Sequence, residues 1–182
     1  TIDATNTAIT GAGFADVDAL IAAHAALIAP STTALTATAN IVAMTAGDDA
    51  ISGTDLTIGT AAAPDVIADS SSADSDTLTL TGSAFATAIS TANTTISGIE
   101  NIVVNFDALT AATFNMAGVA DAPNVTVSNV RAGSTALVTV SNVLDGAVIN
   151  TGTINGGLTV TTANTVATVA DSVTVNSAGS TG

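Results

Sequence analysis

Apolar positions along this chain follow two rhythms. Val17, Leu20, Ile21, His24, Leu27 and Ile28 recur at helical spacing and form one stripe. Asp16 fits an N-cap before the stripe, Asp18 puts an acid in the first turn, and Pro30 stops the helix. The pattern predicts a helix over residues 16–29, whose opposite, Ala-rich face leaves both sides partly covered. Residues 1–13 read as a Thr/Ala strand-like lead-in, and over 31–45 Leu35, Ile41, Val42 and Met44 return to strand. From Thr77 the chain is almost all short strand and turn. Apolar clusters fall at Leu78 and Leu80, Phe85 and Ile89, Ile96 and Ile99, then 102–106. They continue at Phe114, Val125 and Val127, 137–140, Val148 and Ile149, Leu158 and Val160, 166–169, and Val173 and Val175. From Phe114 onward the steps are roughly ten to thirteen residues.

Short strands at even spacing, with Asn, Gly, Ser and Asp between them, suit a sandwich, a barrel or stacked solenoid rungs. The apolar residues are mostly Ala, Val, Ile and Leu, and aromatics are 2%, all Phe. Such small side chains suit thin, closely spaced layers. The pentapeptide Thr-Val-Ser-Asn-Val occurs twice, at 126–130 and 139–143. Asn and Thr at like positions can form ladders between rungs. The expected fold is mainly β, a stacked parallel β-solenoid or β-roll with one short helix near the N-terminus. A β-sandwich is the alternative, though an immunoglobulin-type sandwich would usually offer a Trp or Tyr anchor and this chain has neither. The expected organisation is a lead-in over 1–46, an acidic stretch over 47–76 and a β-repeat region over 77–182, together one continuous fragment of a longer protein.

Charge sharpens the picture. One Arg (Arg131), no Lys and fifteen acids give a net charge of −14. Nucleic acid is excluded as a partner because nothing could neutralise its phosphates. Anionic membrane surfaces are disfavoured for the same reason, and no apolar run is long enough for membrane insertion. With no Cys there are no disulfides, zinc–thiolate sites or thiol nucleophiles. Seven of the acids, Asp48, Asp49, Asp55, Asp65, Asp69, Asp74 and Asp76, fall within residues 45–79, which hold no Lys or Arg. Carboxylates so close repel unless a cation sits among them or they stay solvated. Carboxylate, hydroxyl and carbonyl oxygens are hard ligands that suit Ca²⁺. Gly47-Asp48-Asp49-Ala50-Ile51 fits the second half of the calcium nonapeptide, in which Gly makes the turn, Asp holds the ion and the apolar residue enters the core. Gly53-Thr54-Asp55 repeats the Gly-x-Asp, and Asp65, Asp69, Asp74 and Asp76 bracket a Ser-rich loop. Glu100, the single Glu, follows a Gly turn before the most apolar strand; it is either a further calcium ligand or a turn cap. His24 has no second His or Cys beside it and is expected to be a partly buried packing residue.

The segment Thr-Ile-Ser-Gly-Ile-Glu-Asn-Ile (95–102), the Gly-Asp-Asp-x-Ile of 47–51 and the Thr/Ala/Ser/Asn-rich strands resemble surface-layer proteins of Gram-negative bacteria. They are also similar to RTX-like calcium-dependent repeat proteins exported by type I secretion. The resemblance implies a β-solenoid, bound Ca²⁺, an extracellular, cell-surface location and self-association into a homo-oligomer or lattice, with cell-surface polysaccharide as a further partner. Carried over by position, the nonapeptide's turn residues are Asp48 and Asp49 and its apolar residue is Ile51. The expected function is structural, as a calcium-dependent self-assembling layer; a spacer segment of a calcium-binding adhesin or biofilm-matrix protein is the alternative. An enzyme is not expected, because Arg131 and His24 stand far apart and no particular carboxylate pair is marked out.

Overall fold

The computed structural model describes residues 12–71, 73–121, 123–163 and 171–177. Among the described residues one helix, α1 (Ala12–Leu27), precedes fourteen strands. These are β1 (Thr32–Ala34), β2 (Ile41–Ala43), β3 (Ala50–Thr54), β4 (Asp65–Ala68), β5 (Thr77–Thr81), β6 (Ala88–Ser90) and β7 (Thr94–Ser97). They continue as β8 (Asn101–Phe106), β9 (Ala112–Asn115), β10 (Asn124–Asn129), β11 (Val138–Val143), β12 (Val148–Thr151), β13 (Leu158–Thr162) and β14 (Thr174–Ser177). Every pairing between named strands is parallel, so the chain winds as a β-solenoid of about five turns. The sandwich alternative falls with that pairing, since sandwiches are built from antiparallel neighbours.

One wall runs the whole length, in the order β1-β3-β5-β8-β10-β12-β14. A three-stranded wall, β2-β4-β7, flanks its first rungs, and a four-stranded wall, β6-β9-β11-β13, flanks its later ones. The two short walls overlap only in the middle, where β5 to β8 trace a three-sided turn. The steps of ten to thirteen residues are therefore half-turns, alternating between the long wall and the four-stranded one. A full turn is set by the register: Ile51 pairs with Leu78, Leu78 with Ile102, Ile102 with Val125 and Val125 with Ile149.

That register makes the core. In β8, Ile102, Val104 and Phe106 are fully buried while Asn101, Val103 and Asn105 face outward. The same alternation in each rung stacks Ile51, Leu78, Ile102, Val125 and Ile149 into one apolar column. Each such side chain contributes about 1.5–3 kcal/mol by leaving water. Ladders of side chains accompany the columns: Asn176 Nδ2 donates to Asn150 Oδ1 at 3.0 Å, and Asn142 Nδ2 to Asn115 Oδ1 at 2.7 Å.

Several local expectations are corrected. The helix begins four residues earlier than the N-cap pattern suggests, so Asp16 and Asp18 lie inside it; an Ala-rich approach favours helix upstream of the acid. Its stripe is not covered: Val17, Leu20 and Ile21 are 46%, 69% and 62% exposed, and His24 is exposed with them. The interior is already filled by strand side chains, so the stripe has no apolar surface to meet. Of the lead-in, residues 1–11 lie outside the described residues, as do the apolar cluster at 166–169 and Ser72 of the Ser run. Gly53 makes no turn; it sits inside β3, where a Cβ would stand 2.9 Å from the Leu35 side chain. Phe85 does not join Ile89 in the core. Ile89 is buried in β6, while Phe85 is 57% exposed in the preceding turn at a φ of 69°.

Candidate metal centre

The acids follow the winding. Asp48, Asp49, Asp74, Asp76, Glu100, Asp121, Asp145 and Asp171 each stand within three residues before a strand of the long wall. Stacking therefore gathers them along one corner of the solenoid. At that corner they first cap backbone amides. The Asp49 N–H donates to Asp76 Oδ1 at 2.7 Å, and the Asp76 N–H donates to Glu100 Oε2 at 2.9 Å. Asp49 in turn accepts from the N–H of Ser31 at 2.5 Å and of Thr45 at 2.6 Å. Each carboxylate of this ladder thus holds an amide of the rung before it, a buried donor that would otherwise cost about 1–3 kcal/mol. Burial alone would raise the Asp49 pKa, but the amides of Thr45 and Ser31 outweigh it and hold the carboxyl below its ordinary value.

The other predicted ligands divide by location. Asp48 Oδ1 accepts from the Ser75 N–H at 2.9 Å, beside the ladder. Asp55 lies at the far end of β3 and accepts from the Ser83 N–H at 2.6 Å and its hydroxyl at 2.9 Å. Asp65 opens β4 and accepts from the N–H groups of Asn40 at 2.8 Å and Gly59 at 2.7 Å. Ile51 is buried, as the nonapeptide pattern requires of its apolar position. Glu100 acts as the inter-rung cap just described.

Asp69, Asp74 and Asp76 are brought together: one carboxylate oxygen of each lies within 4.8 Å of the others. Asp69 Oδ2 accepts from the Ser71 N–H at 2.6 Å, which shapes the loop. Both oxygens of Asp74, and Oδ2 of Asp76, are buried with no hydrogen-bond partner among the described residues. Asp76 as a whole is 0% exposed. Burial, and then the charges of Asp74, Asp69 and Asp49 against the opposing amide of Asp49, push its pKa up to about 6. Three unanswered oxygens on two of the three converging carboxylates are what a hard cation would answer. At Ca²⁺–oxygen distances of about 2.3–2.6 Å, oxygens up to about 5 Å apart can share one ion. Beside the cluster lies a cavity of about 430 Å³ lined by Asp69, Ser71, Ser97, Gly98, Ile99, Glu100, Asp121 and Pro123. Gly98 is required there: its φ is 69°, and a Cβ would stand 2.5 Å from the Asp69 carbonyl oxygen. Its N–H donates to Asp121 Oδ2 at 2.7 Å.

These acids stand out in the sequence, and Glu100 also as a turn cap, but the inter-rung ladder does not. The signal was present in spacing: Asp49, Asp76 and Glu100 each immediately precede a strand of one wall. Arg131 forms an ion pair with Asp107, its Nε standing 3.0 Å from Asp107 Oδ1. Its stacking over the Phe85 ring, 4.3 Å from the centroid, had no sequence signal. No helix among the described residues is long and apolar enough to cross a membrane. Comparison with protein-family models, curated proteins and solved structures gives no match.

Proposed function

We propose that this chain is a structural β-solenoid whose fold is completed by Ca²⁺, and that it serves as a unit of a self-assembling extracellular layer. The observation that carries the reading is the convergence of Asp69, Asp74 and Asp76 with three buried carboxylate oxygens unanswered. Asp69, Asp74 and Asp76 would hold the ion, with its remaining positions open to water. Ca²⁺ suits the site better than Mg²⁺, which demands a tighter octahedron at about 2.0–2.1 Å. Binding to the folded state alone then stabilises it by mass action. In low calcium the acids repel; in calcium-rich surroundings they are neutralised and the loop between β4 and β5 is pinned to the corner ladder. A cysteine-free chain outside the cell gains in this way a stabilising cross-link that needs no disulfide. The lattice, the cell-surface location and the polysaccharide partner follow from the resemblance of the 47–51 and 95–102 segments to surface-layer proteins.

Thermal unfolding after EDTA stripping, with CaCl₂ and MgCl₂ added back separately, tests the metal. At 100 times the dissociation constant the gain is about 2.7 kcal/mol, a Tm rise of roughly 5–10 °C for a chain of this size. Asp74→Asn removes one charge from the cluster, so it should melt higher than wild type in EDTA and gain nothing from Ca²⁺. A wild-type Tm indifferent to Ca²⁺ would sink the proposal.

A further inference from the structure

The interior of the solenoid is unevenly filled. Among the described residues, 31–68 supply only Leu35, Ile51, Ile58 and Ile67 to the buried apolar core, whereas 77–154 supply twenty-one side chains. Residue for residue, the first rungs bury fewer than half as many. β1 and β2, the outermost strands of their walls, are three residues long, and in each only the middle residue is half-buried. Carboxylates hold these rungs instead. Asp65 gathers the amides of Asn40 and Gly59, Asp49 gathers those of Ser31 and Thr45, and both acids are buried. In a stack whose rungs touch only their neighbours, an end with little core can open without the rest.

Asp76 joins that end to the candidate metal centre. Its Oδ1 takes the Asp49 N–H, its Oδ2 is buried without a partner, and the side chain converges with Asp69 and Asp74. Asp69 immediately follows β4 and Asp76 immediately precedes β5. An ion held there pins the last strand of the first rungs to the first strand of the dense core. The ladder runs one way. From Asp76 it passes through Asp49 to Ser31 and Thr45, on either side of β1 and β2. Toward the C-terminus it stops at Glu100, because the residues in the same place before β10 and β12 are Pro123 and Ala147, neither of them an acid. We infer that the solenoid is two cooperative units and that the ion governs only the first: without it residues 31–68 open while residues 77–154 stay wound. The inference rests on the proposed metal site and adds what binding there controls. The ion is a clasp on one end of the coil, and the Ca²⁺-dependent rise in Tm belongs to the melting of that end.

The test is hydrogen exchange of the full chain, read by mass spectrometry of its peptides, in EDTA and in CaCl₂. In EDTA the amides of β3 and β4 should exchange fast and those of β8 to β12 slowly. CaCl₂ at 100 times the dissociation constant should slow the first set about a hundredfold and leave the second within about twofold. Asp49→Ala keeps all three ligands but cuts the ladder. Ca²⁺ should still bind it by calorimetry and slow the amides between β4 and β5, while those of residues 31–45 stay fast; slow exchange of residues 77–154 shows that the variant is folded. Equal slowing of both halves of the wild-type chain overturns the inference and leaves the metal site standing. So does Ca²⁺ protection of residues 31–45 in Asp49→Ala that matches wild type. Exchange indifferent to Ca²⁺ throughout, with no heat of binding, overturns the metal site and the inference together.

Discussion

Asn129 and Asn142 occupy the same place in the same pentapeptide, yet they point opposite ways. Asn129 is buried in β10, where its side chain donates to the Ala108 carbonyl at 3.0 Å and accepts from the Ala108 N–H at 3.1 Å. Asn142 is exposed at a φ of 56°, and the register of β11 shifts between Val140 and Val143. The shift turns Val143 inward, whereas Val130, its counterpart, faces solvent. The repeat was legible; the bulge was not, because one left-handed residue decides which face the next side chain meets. Asp76 gives a prediction at this scale. Its folded pKa of about 6 lies above the 3.8 of the free side chain, so the metal-free fold binds the extra proton. That contribution to stability is fully present below pH 3.8 and is lost as pH rises through 6. Ca²⁺ needs the deprotonated group, so affinity should weaken as pH falls from 7 to 5, with about half a proton released per ion near pH 6 and close to one near pH 5. Calorimetric titration in two buffers of different ionisation enthalpy reads that proton directly. An affinity constant across this range would count against Asp76 as a ligand.

Strands and helix differ in how far pattern fixes them. A strand's alternation also names its inner face, so the residues that line the core were readable once the strands were placed. What alternation does not carry is the partner wall, which is why clusters ten to thirteen residues apart did not reveal a turn of twice that length. The helix shows the converse. Its stripe has the right period, but period says nothing about whether a surface waits to receive it. In the isolated chain, replacing both Leu20 and Ile21 by Ser should move the denaturant midpoint little, by within about 0.5 kcal/mol of stability for each. Ile102→Ala, in the central column, should cost about 2–5 kcal/mol. Equal losses at the two places would mean that α1 is covered in solution.

Over the whole molecule, the solenoid sorts charge by strand end. The acidity of the stretch around residues 47–76 was plain from the sequence, and so was its suitability for a hard cation. Its division into ladder caps and a cluster of three converging carboxylates was not, since that depends on turn length, and the turns vary. The long wall has a further consequence. It alone spans every rung, and its interstrand hydrogen bonds run along the winding axis, as in any parallel stack. Tension applied between the two ends of the chain therefore meets these bonds one rung at a time rather than all together. Each rung that lets go releases the 24 residues between Leu78 and Ile102, or a similar length, which extend by roughly 80 Å. Pulled in an atomic-force instrument, the chain should yield as a train of evenly spaced steps of that size, not as a single rupture. A layer woven from such units would stretch before it tore, spending mechanical work rung by rung and recovering it as the coil rewinds.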